Sequence, residues 1–340
     1  IRWAQIMRSE PSLRFLPVTD GKTPLYMWTL MPMLKLIEDP LLAGRLLSVI
    51  MGFGTWLGIV FLSWRWISPK AAVWSGLIAA TLPYLVFFER MALADSMLTA
   101  FTIWSLIGAL LLAEYRRLDL AMVVGYLMGG AVLAKTPGSV NMWLLPATGL
   151  VAWSHRLKWR SWGRLIGLWV VVVVIGLACY NLLRLGPEFR QLSARNQDYL
   201  FPVSKILATP WDPLLPHLND LWGWCRYLLS WPLSLLIMIG GVGVVWKRRW
   251  PLIVVAIWAF VPLVFELLFI RNLTARYAMF MVPMWVILAG WAVWQIEQSK
   301  KWLGWLLMAG VILCSSWWLG HLWFNADKLP LPANERQGYF

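Results

Sequence analysis

The chain has 340 residues, 60% of them hydrophobic, with 27 Trp, a mean hydropathy of +0.65 and only 14% charged residues. That balance excludes an ordinary soluble domain and points to an integral membrane protein. The formal net charge of +14 gives no reason to invoke nucleic acid, because thirteen of the thirty basic residues sit in five short loops between apolar runs.

In chain order, a polar amphipathic stretch, Arg2–Glu10, comes first. Asp20-Gly21-Lys22-Thr23-Pro24 then leads into Leu25–Ile37, an apolar run too short to span and carrying Lys35, which predicts an interfacial or re-entrant helix. Pro24 suits a first helical position, and the helix N-terminus would turn backbone N–H groups toward whatever lies beside Lys22.

Ten apolar spans follow, over 43–64, 71–88, 93–113, 119–134, 138–154, 163–185, 226–246, 251–270, 278–294 and 301–323. Each approaches the ~20 residues a helix needs to cross ~30 Å of hydrocarbon. Because these runs are continuously apolar, they read as helices and not as barrel strands. The predicted fold class is an all-α, polytopic transmembrane protein.

Orientation follows from the basic loops Arg65/Lys70, Arg116/Arg117, Arg156/Lys158/Arg160/Arg164, Lys247/Arg248/Arg249 and Lys300/Lys301, which occupy every second inter-helix position. Such loops face the cytoplasm, so both ends of the chain face outside. No span precedes the outer N-terminal stretch, which predicts a first helix upstream of Ile1. The outer tail Asn325–Phe340 stops without a closing element, which predicts a further external segment there. The organisation expected is an outer juxtamembrane segment (1–42), a six-span bundle (43–185), an outer loop (186–225), a four-span bundle (226–323) and the tail (324–340).

Trp and Tyr gather at span ends, as in Trp64-Arg65-Trp66 and Trp317-Trp318, which is the aromatic belt of a membrane protein. Cys179, Cys225 and Cys314 form no CxxC pair, and His155, His217 and His321 are scattered, so neither a disulfide framework, a zinc site nor a Ser-His-Asp triad is indicated. A Gly-rich phosphate loop, GxSxG and HExxH are all absent from the sequence.

The outer boundaries carry the chemistry. Glu89-Arg90 and Asp95 bracket the turn between the second and third spans, and Lys135-Thr136-Pro137-Gly138 lies between the fourth and fifth. Glu266 lies inside the eighth, with Arg271, Arg276 and Tyr277 at its outer end. A carboxylate as deep as Asp95 is costly unless it faces a cation or a polar cavity. A single Lys or Arg at a helix end usually snorkels to the headgroups, but Lys22, Arg90, Lys135, Arg271 and Arg276 on one face suit an anionic, membrane-resident ligand such as a lipid phosphate. The outer segment Gly186–Trp224, with Arg195, Asp198, Tyr199 and His217, mixes aromatic, amide and acidic groups as a sugar-contacting surface would.

These residues resemble the polytopic GT-C glycosyltransferases of the protein O-mannosyltransferase and lipid A aminoarabinose transferase type. Asp20-Gly21-Lys22-Thr23-Pro24-Leu25-Tyr26-Met27-Trp28 is similar to that family's acidic-Lys-Pro-Pro-Leu-Tyr-Trp segment, and Arg45-Leu46-Leu47-Ser48-Val49 with Gly52 to its Arg-Leu-Leu-Ser span start. Arg90-Met91-Ala92-Leu93-Ala94-Asp95-Ser96 resembles its Arg-x-x-x-x-Asp turn, and Leu133-Ala134-Lys135-Thr136-Pro137-Gly138 its Leu-Thr-Lys-Gly-Pro turn. Thr274-Ala275-Arg276-Tyr277 with Pro283 resembles its late Arg-Tyr element.

The resemblance implies sugar transfer, with inversion, from a polyprenyl-phosphate carrier at the outer face of the cytoplasmic membrane. The acceptor would be a protein, a lipid or another glycan. The family's first-loop base Asp would fall upstream of Ile1, so that the chain as given would be an inactive fragment. Asp95 and Asp20 are the catalytic candidates, Asp95 orienting a cation or meeting the acceptor and Asp20 standing near the sugar or a metal. Lys22, Arg90, Lys135, Arg276 and Arg271 would hold the lipid phosphate. Tyr277, Tyr26 and Asp198 are the candidate substrate contacts. Where some relatives carry a metal-binding acid this chain has Gly21, so a divalent ion stays an open cofactor. A transporter or flippase of a lipid-linked sugar is the alternative, and it would place ionisable groups near the bilayer midplane or the inner side and bring internal repeats.

Overall fold

The structure is a computed structural model that describes residues 1–154 and 158–324. Arg156 of the basic loops, His155 and the tail Asn325–Phe340 lie outside the described residues. The helices are α1 (Arg2–Ser9), α2 (Leu25–Leu36), α3 (Pro40–Trp66), α4 (Pro69–Thr81), α5 (Pro83–Glu89), α6 (Ala94–Tyr115), α7 (Leu118–Ala134), α8 (Val140–Leu144) and α9 (Gly149–Ser154). They continue with α10 (Trp159–Asn181), α11 (Arg190–Tyr199), α12 (Val203–Ala208), α13 (Trp211–Tyr227), α14 (Trp231–Trp246), α15 (Trp250–Phe269), α16 (Val282–Ser299) and α17 (Lys301–Phe324). The fold is all-α: among the described residues the only extended pairing is an isolated antiparallel bridge between Leu200 and Ile270.

Among the described residues, six helical segments are long and apolar enough to cross a membrane, and they fall on the expected spans 43–64, 93–113, 163–185, 251–270, 278–294 and 301–323. The expected span 71–88 is a bent pair, α4 and α5 meeting at 57° where Leu82 leaves the helical region ahead of Pro83, and the expected span 226–246 falls mainly on α14, which meets α13 of the expected outer loop at 113°. The expected span 119–134 is α7, which is 17 residues long. The run 138–154 is divided into 3-10 turns at Thr136–Ser139 and Leu145–Thr148 alternating with the short α8 and α9, because Pro137 and Pro146 each remove a backbone donor. The apolar run after Pro24 folds as α2, with Pro24 at its N-cap position and not at its first turn.

The chain divides into two compact units. The first holds Ile1–Gly58, Glu89–Tyr199 and Trp250–Trp258, and the second holds Ile59–Phe88, Leu200–Arg249 and the chain from Ala259 onward. In the first unit α6 is enclosed, with 83% of its apolar window buried, whereas α10 keeps only 22% buried and turns Ile166, Val170 and Val174 outward. Exposed apolar faces of that extent are what a lipid-facing helix presents. α7 lies against α10 through Gly125 and Gly129, where a Cβ would meet Ile175 Cβ at 2.7 Å and Cys179 Cβ at 2.6 Å. Small residues of this kind let helix backbones approach closely inside a bilayer. In the second unit the enclosed segment is Ala275–Ser299, also 83% buried, and α17 is peripheral at 22%.

Candidate functional site

In the first unit, one buried cluster joins Val18, Leu133, Leu183 and Leu192, and a second joins Tyr26, Leu30, Met97 and Ala134 among others, with Leu25 packed against both. These apolar contacts bring together the 3-10 turn Leu16–Asp20, the start of α2, the start of α6, the end of α7 and α11. Asp95, Lys135, Asp20, Lys22, Arg195 and Arg45 each sit within three residues of a member of that packing.

Asp95 lies in the first turn of α6 and Lys135 directly follows α7, so each charge also faces the favourable end of a helix dipole. Lys135 Nζ is 2.5 Å from Asp95 Oδ1, with the Asp95 side chain 7% and the Lys135 side chain 26% exposed. The costly deep carboxylate therefore has its cation, forty residues away in sequence.

Asp20 ends the 3-10 turn, and Gly21 takes a left-handed backbone at φ 63°. Lys22 Nζ then turns back to within 2.8 Å of Asp20 Oδ2 while also lying 4.7 Å from the Trp3 ring centroid. On the other side Arg195 Nη1 of α11 stands 3.7 Å from Asp20 Oδ1. Chiefly through the hydrogen bond from Lys22, the Asp20 carboxyl is held below the usual carboxylate range. Arg195 also donates to the Tyr199 hydroxyl at 3.3 Å, and Asp198 sits three residues on along the same helix.

Gly21 is required twice. Its backbone is one that L side chains rarely adopt, and a Cβ there would run into Arg195 and reach 2.8 Å from the Gln191 carbonyl. An acidic side chain cannot take this position while α11 is packed here. Among the described residues no three His, Cys, Asp or Glu side chains form a metal-holding group, and Asp20 already faces two cations. The donor set present does not fit a divalent ion.

Arg90 lies in the turn before α6, where burial and the neighbouring charge of Arg45 lower its guanidinium pKa. Tyr26 is buried at 3% exposure, and its hydroxyl donates to the Gly44 carbonyl at 2.9 Å beside the Ser48 hydroxyl. In the second unit, Arg276 lies over the Tyr277 ring at 5.3 Å, and Arg271 Nε donates to the Leu200 carbonyl at 3.0 Å. His217 of the outer segment is buried there, its Nδ1–H donating to the Leu267 carbonyl at 2.8 Å. Lys22, Lys135, Asp20, Asp95 and Asp198 thus lie on the packed elements of one unit, with Arg90 in the same unit, and Arg271, Arg276 and Tyr277 belong to the other. Arg195, expected only as part of a sugar-contacting outer segment, and Arg45, expected only as part of a span start, are brought beside Asp20 and Arg90 by packing between segments far apart in the chain.

The chain resembles the crystal structure of ArnT from Cupriavidus metallidurans bound to undecaprenyl phosphate, with a TM-score of 0.62 and 21% identity over 92% of this chain. This is the GT-C fold. The apo form of the same ArnT matches with a TM-score of 0.61 at 20% identity. The GT-C fold recurs in the oligosaccharyltransferase AglB from Archaeoglobus fulgidus in complex with an inhibitory peptide and a dolichol-phosphate, with a TM-score of 0.51 and 12% identity over 88% of this chain and 47% of that one. A family model described as dolichyl-phosphate-mannose-protein mannosyltransferase matches residues 21–182, which include Lys22, Arg90, Asp95 and Lys135. No curated protein sequence matches the chain. The chain spans 56–58% of the length of ArnT.

Proposed function

We propose that this chain carries the core of a membrane glycosyltransferase that moves a sugar from a polyprenyl-phosphate carrier to an acceptor at the outer face of the cytoplasmic membrane, with inversion at the anomeric carbon. The observation that carries the reading is the gathering of Lys22, Lys135 and Arg195 around two carboxylates, Asp20 and Asp95, by elements packed together in one unit. Arg45 and Arg90 add two neighbouring cations in the same unit. The GT-C fold shared with a structure bound to undecaprenyl phosphate supports the same class of donor.

In the reaction, the acceptor oxygen attacks the anomeric carbon as the bond to the carrier phosphate breaks. The carrier leaves as polyprenyl phosphate, and a carboxylate takes the acceptor proton. Lys22, Arg90 and Lys135 stabilise the negative charge that grows on the departing phosphate, which is where interactions specific to the transition state accelerate transfer. Asp95 holds Lys135 in place, and Asp20, kept ionised by Lys22, stands near the sugar. Asp198 contacts substrate, and Tyr26 shapes the site from beneath through its bond to Gly44.

The test is transfer by the full-length gene product in proteoliposomes, with radiolabelled sugar on a polyprenyl-phosphate carrier. Label reaching an acceptor together with free polyprenyl phosphate supports the reading. Intact donor crossing the bilayer without transfer would replace it by a flippase.

A further inference from the structure

At the far end of α16 from Arg276 and Tyr277, the second unit has another basic feature. α14 and α16 lie side by side and are followed by the short basic loops Lys247–Arg249 and Lys300–Lys301. At 1.5 Å per residue, the 18 residues of α16 put these loops about 27 Å from its start. A groove of about 440 Å³ opens between the ends of α14, α16 and α17.

Its walls are apolar, from Ile239, Gly243, Ala292, Ile296 and Leu303, and its mouth carries Lys247, Gln295, Ser299 and Lys300. Gly243 makes the floor: a Cβ there would meet Trp291 Cζ3 at 2.6 Å, so the indole lies flush against the helix backbone. Lys247 Nζ lies 5.8 Å from the Trp291 ring centroid and donates to Gln295 Oε1, which holds the ammonium over the mouth. The nearest carboxylate along α16 is Glu297, and it is engaged elsewhere, accepting from Lys70 Nζ at 3.2 Å and Trp74 Nε1 at 3.0 Å of α4. The charge at the mouth is therefore positive, above a slot that suits hydrocarbon.

We propose that this groove is a binding site for an anionic glycerophospholipid of the leaflet beside the basic loops, with an acyl chain along the apolar wall and the phosphodiester at Lys247, Ser299 and Lys300. Charge complementarity selects the headgroup, since basic pockets between transmembrane helices recruit anionic lipids. The apolar slot selects a lipid over a free phosphate.

Native mass spectrometry of the purified full-length protein, loaded with phosphatidylglycerol or phosphatidylcholine of identical acyl chains, reads the site. Phosphatidylglycerol is expected to be retained at least tenfold better. Lys247→Gln combined with Lys300→Gln, which keeps polar side chains of similar reach, should abolish that preference. Ile296→Trp, which fills the slot and leaves the charges, should lower retention of the bound lipid, while inorganic phosphate should not displace it. Unfolding temperatures within a few degrees of wild type certify the variants. Equal retention of the two lipids, an unchanged preference in the lysine variant, or displacement by inorganic phosphate would each overturn the proposal.

Discussion

Lys135 Nζ and Asp95 Oδ1 lie 2.5 Å apart although forty residues of chain separate them. The pair joins the end of α7 to the start of α6, and the Asp95 side chain is almost fully enclosed. Removing Asp95 alone takes from Lys135 the carboxylate that faces it, whereas replacing both with apolar residues leaves neither half of the pair behind and is milder. Asp95→Leu should therefore lower the unfolding temperature more than Asp95→Leu combined with Lys135→Met, and transfer should fall at least a hundredfold in both. Thermal unfolding in detergent with a parallel transfer assay checks this; an Asp95→Leu protein as stable and active as wild type would remove both roles.

Gly21 is a position where a methyl group is expected to matter. Gly21→Ala places a side chain on a left-handed backbone and into Arg195, and the conformational part alone is about 1–2 kcal/mol. The expected result is a drop in donor affinity of tenfold or more with a modest loss of stability, because the turn carrying Asp20 and Lys22 must move away from α11. Donor binding by the variant, measured by quenching of intrinsic Trp fluorescence, reads it. Wild-type affinity would show that the turn tolerates the shift.

The pH profile should report on Asp20. Its pKa is depressed chiefly by the hydrogen bond from Lys22, with smaller help from the charges of Lys22 and Arg195. A depressed carboxylate contributes stability above its unfolded pKa and loses it as pH falls through the lowered folded value, so ionised Asp20 persists into mildly acidic solution. Lys22→Met should move the acid limb of kcat/KM to higher pH as well as lowering its plateau, and Arg195→Ala should move it less. Because both cations are exposed, stability should change little. An acid limb unmoved by Lys22→Met would mean that Asp20 does not govern turnover.

Tyr26→Phe separates a buried support from a substrate contact. The hydroxyl is enclosed and donates to the Gly44 carbonyl, so its loss should cost about 1–3 kcal/mol of stability and change KM little. A large rise in KM at unchanged unfolding temperature would instead place Tyr26 against the substrate.

The helical class was legible because a bilayer demands internally satisfied backbone, and continuous apolar runs such as Ala94–Tyr115 admit only that solution. Lys22, Arg90, Asp95 and Lys135 were legible because charge at an apolar boundary is expensive enough to need a reason. The break of 138–154 into short pieces was less so: Pro137 and Pro146 were visible, but hydropathy averages over them. Arg195 stood out only as one member of a mixed outer segment, with no signal for its ion partner. It lies in a polar segment rich in charge, and nothing in its own neighbourhood points to Asp20.

By itself the sequence determined the membrane class, the helices and the residue types able to hold an anion, since these follow from transfer free energies and backbone hydrogen bonding, which act locally along the chain. Only the tertiary structure decided that Lys135 answers Asp95, that Arg195 closes on Asp20 across Gly21, and that Tyr26 turns inward to Gly44. Those choices depend on which apolar faces pack together, as Val18, Leu133 and Leu192 do, and side-chain complementarity between distant segments is a property of the folded chain alone.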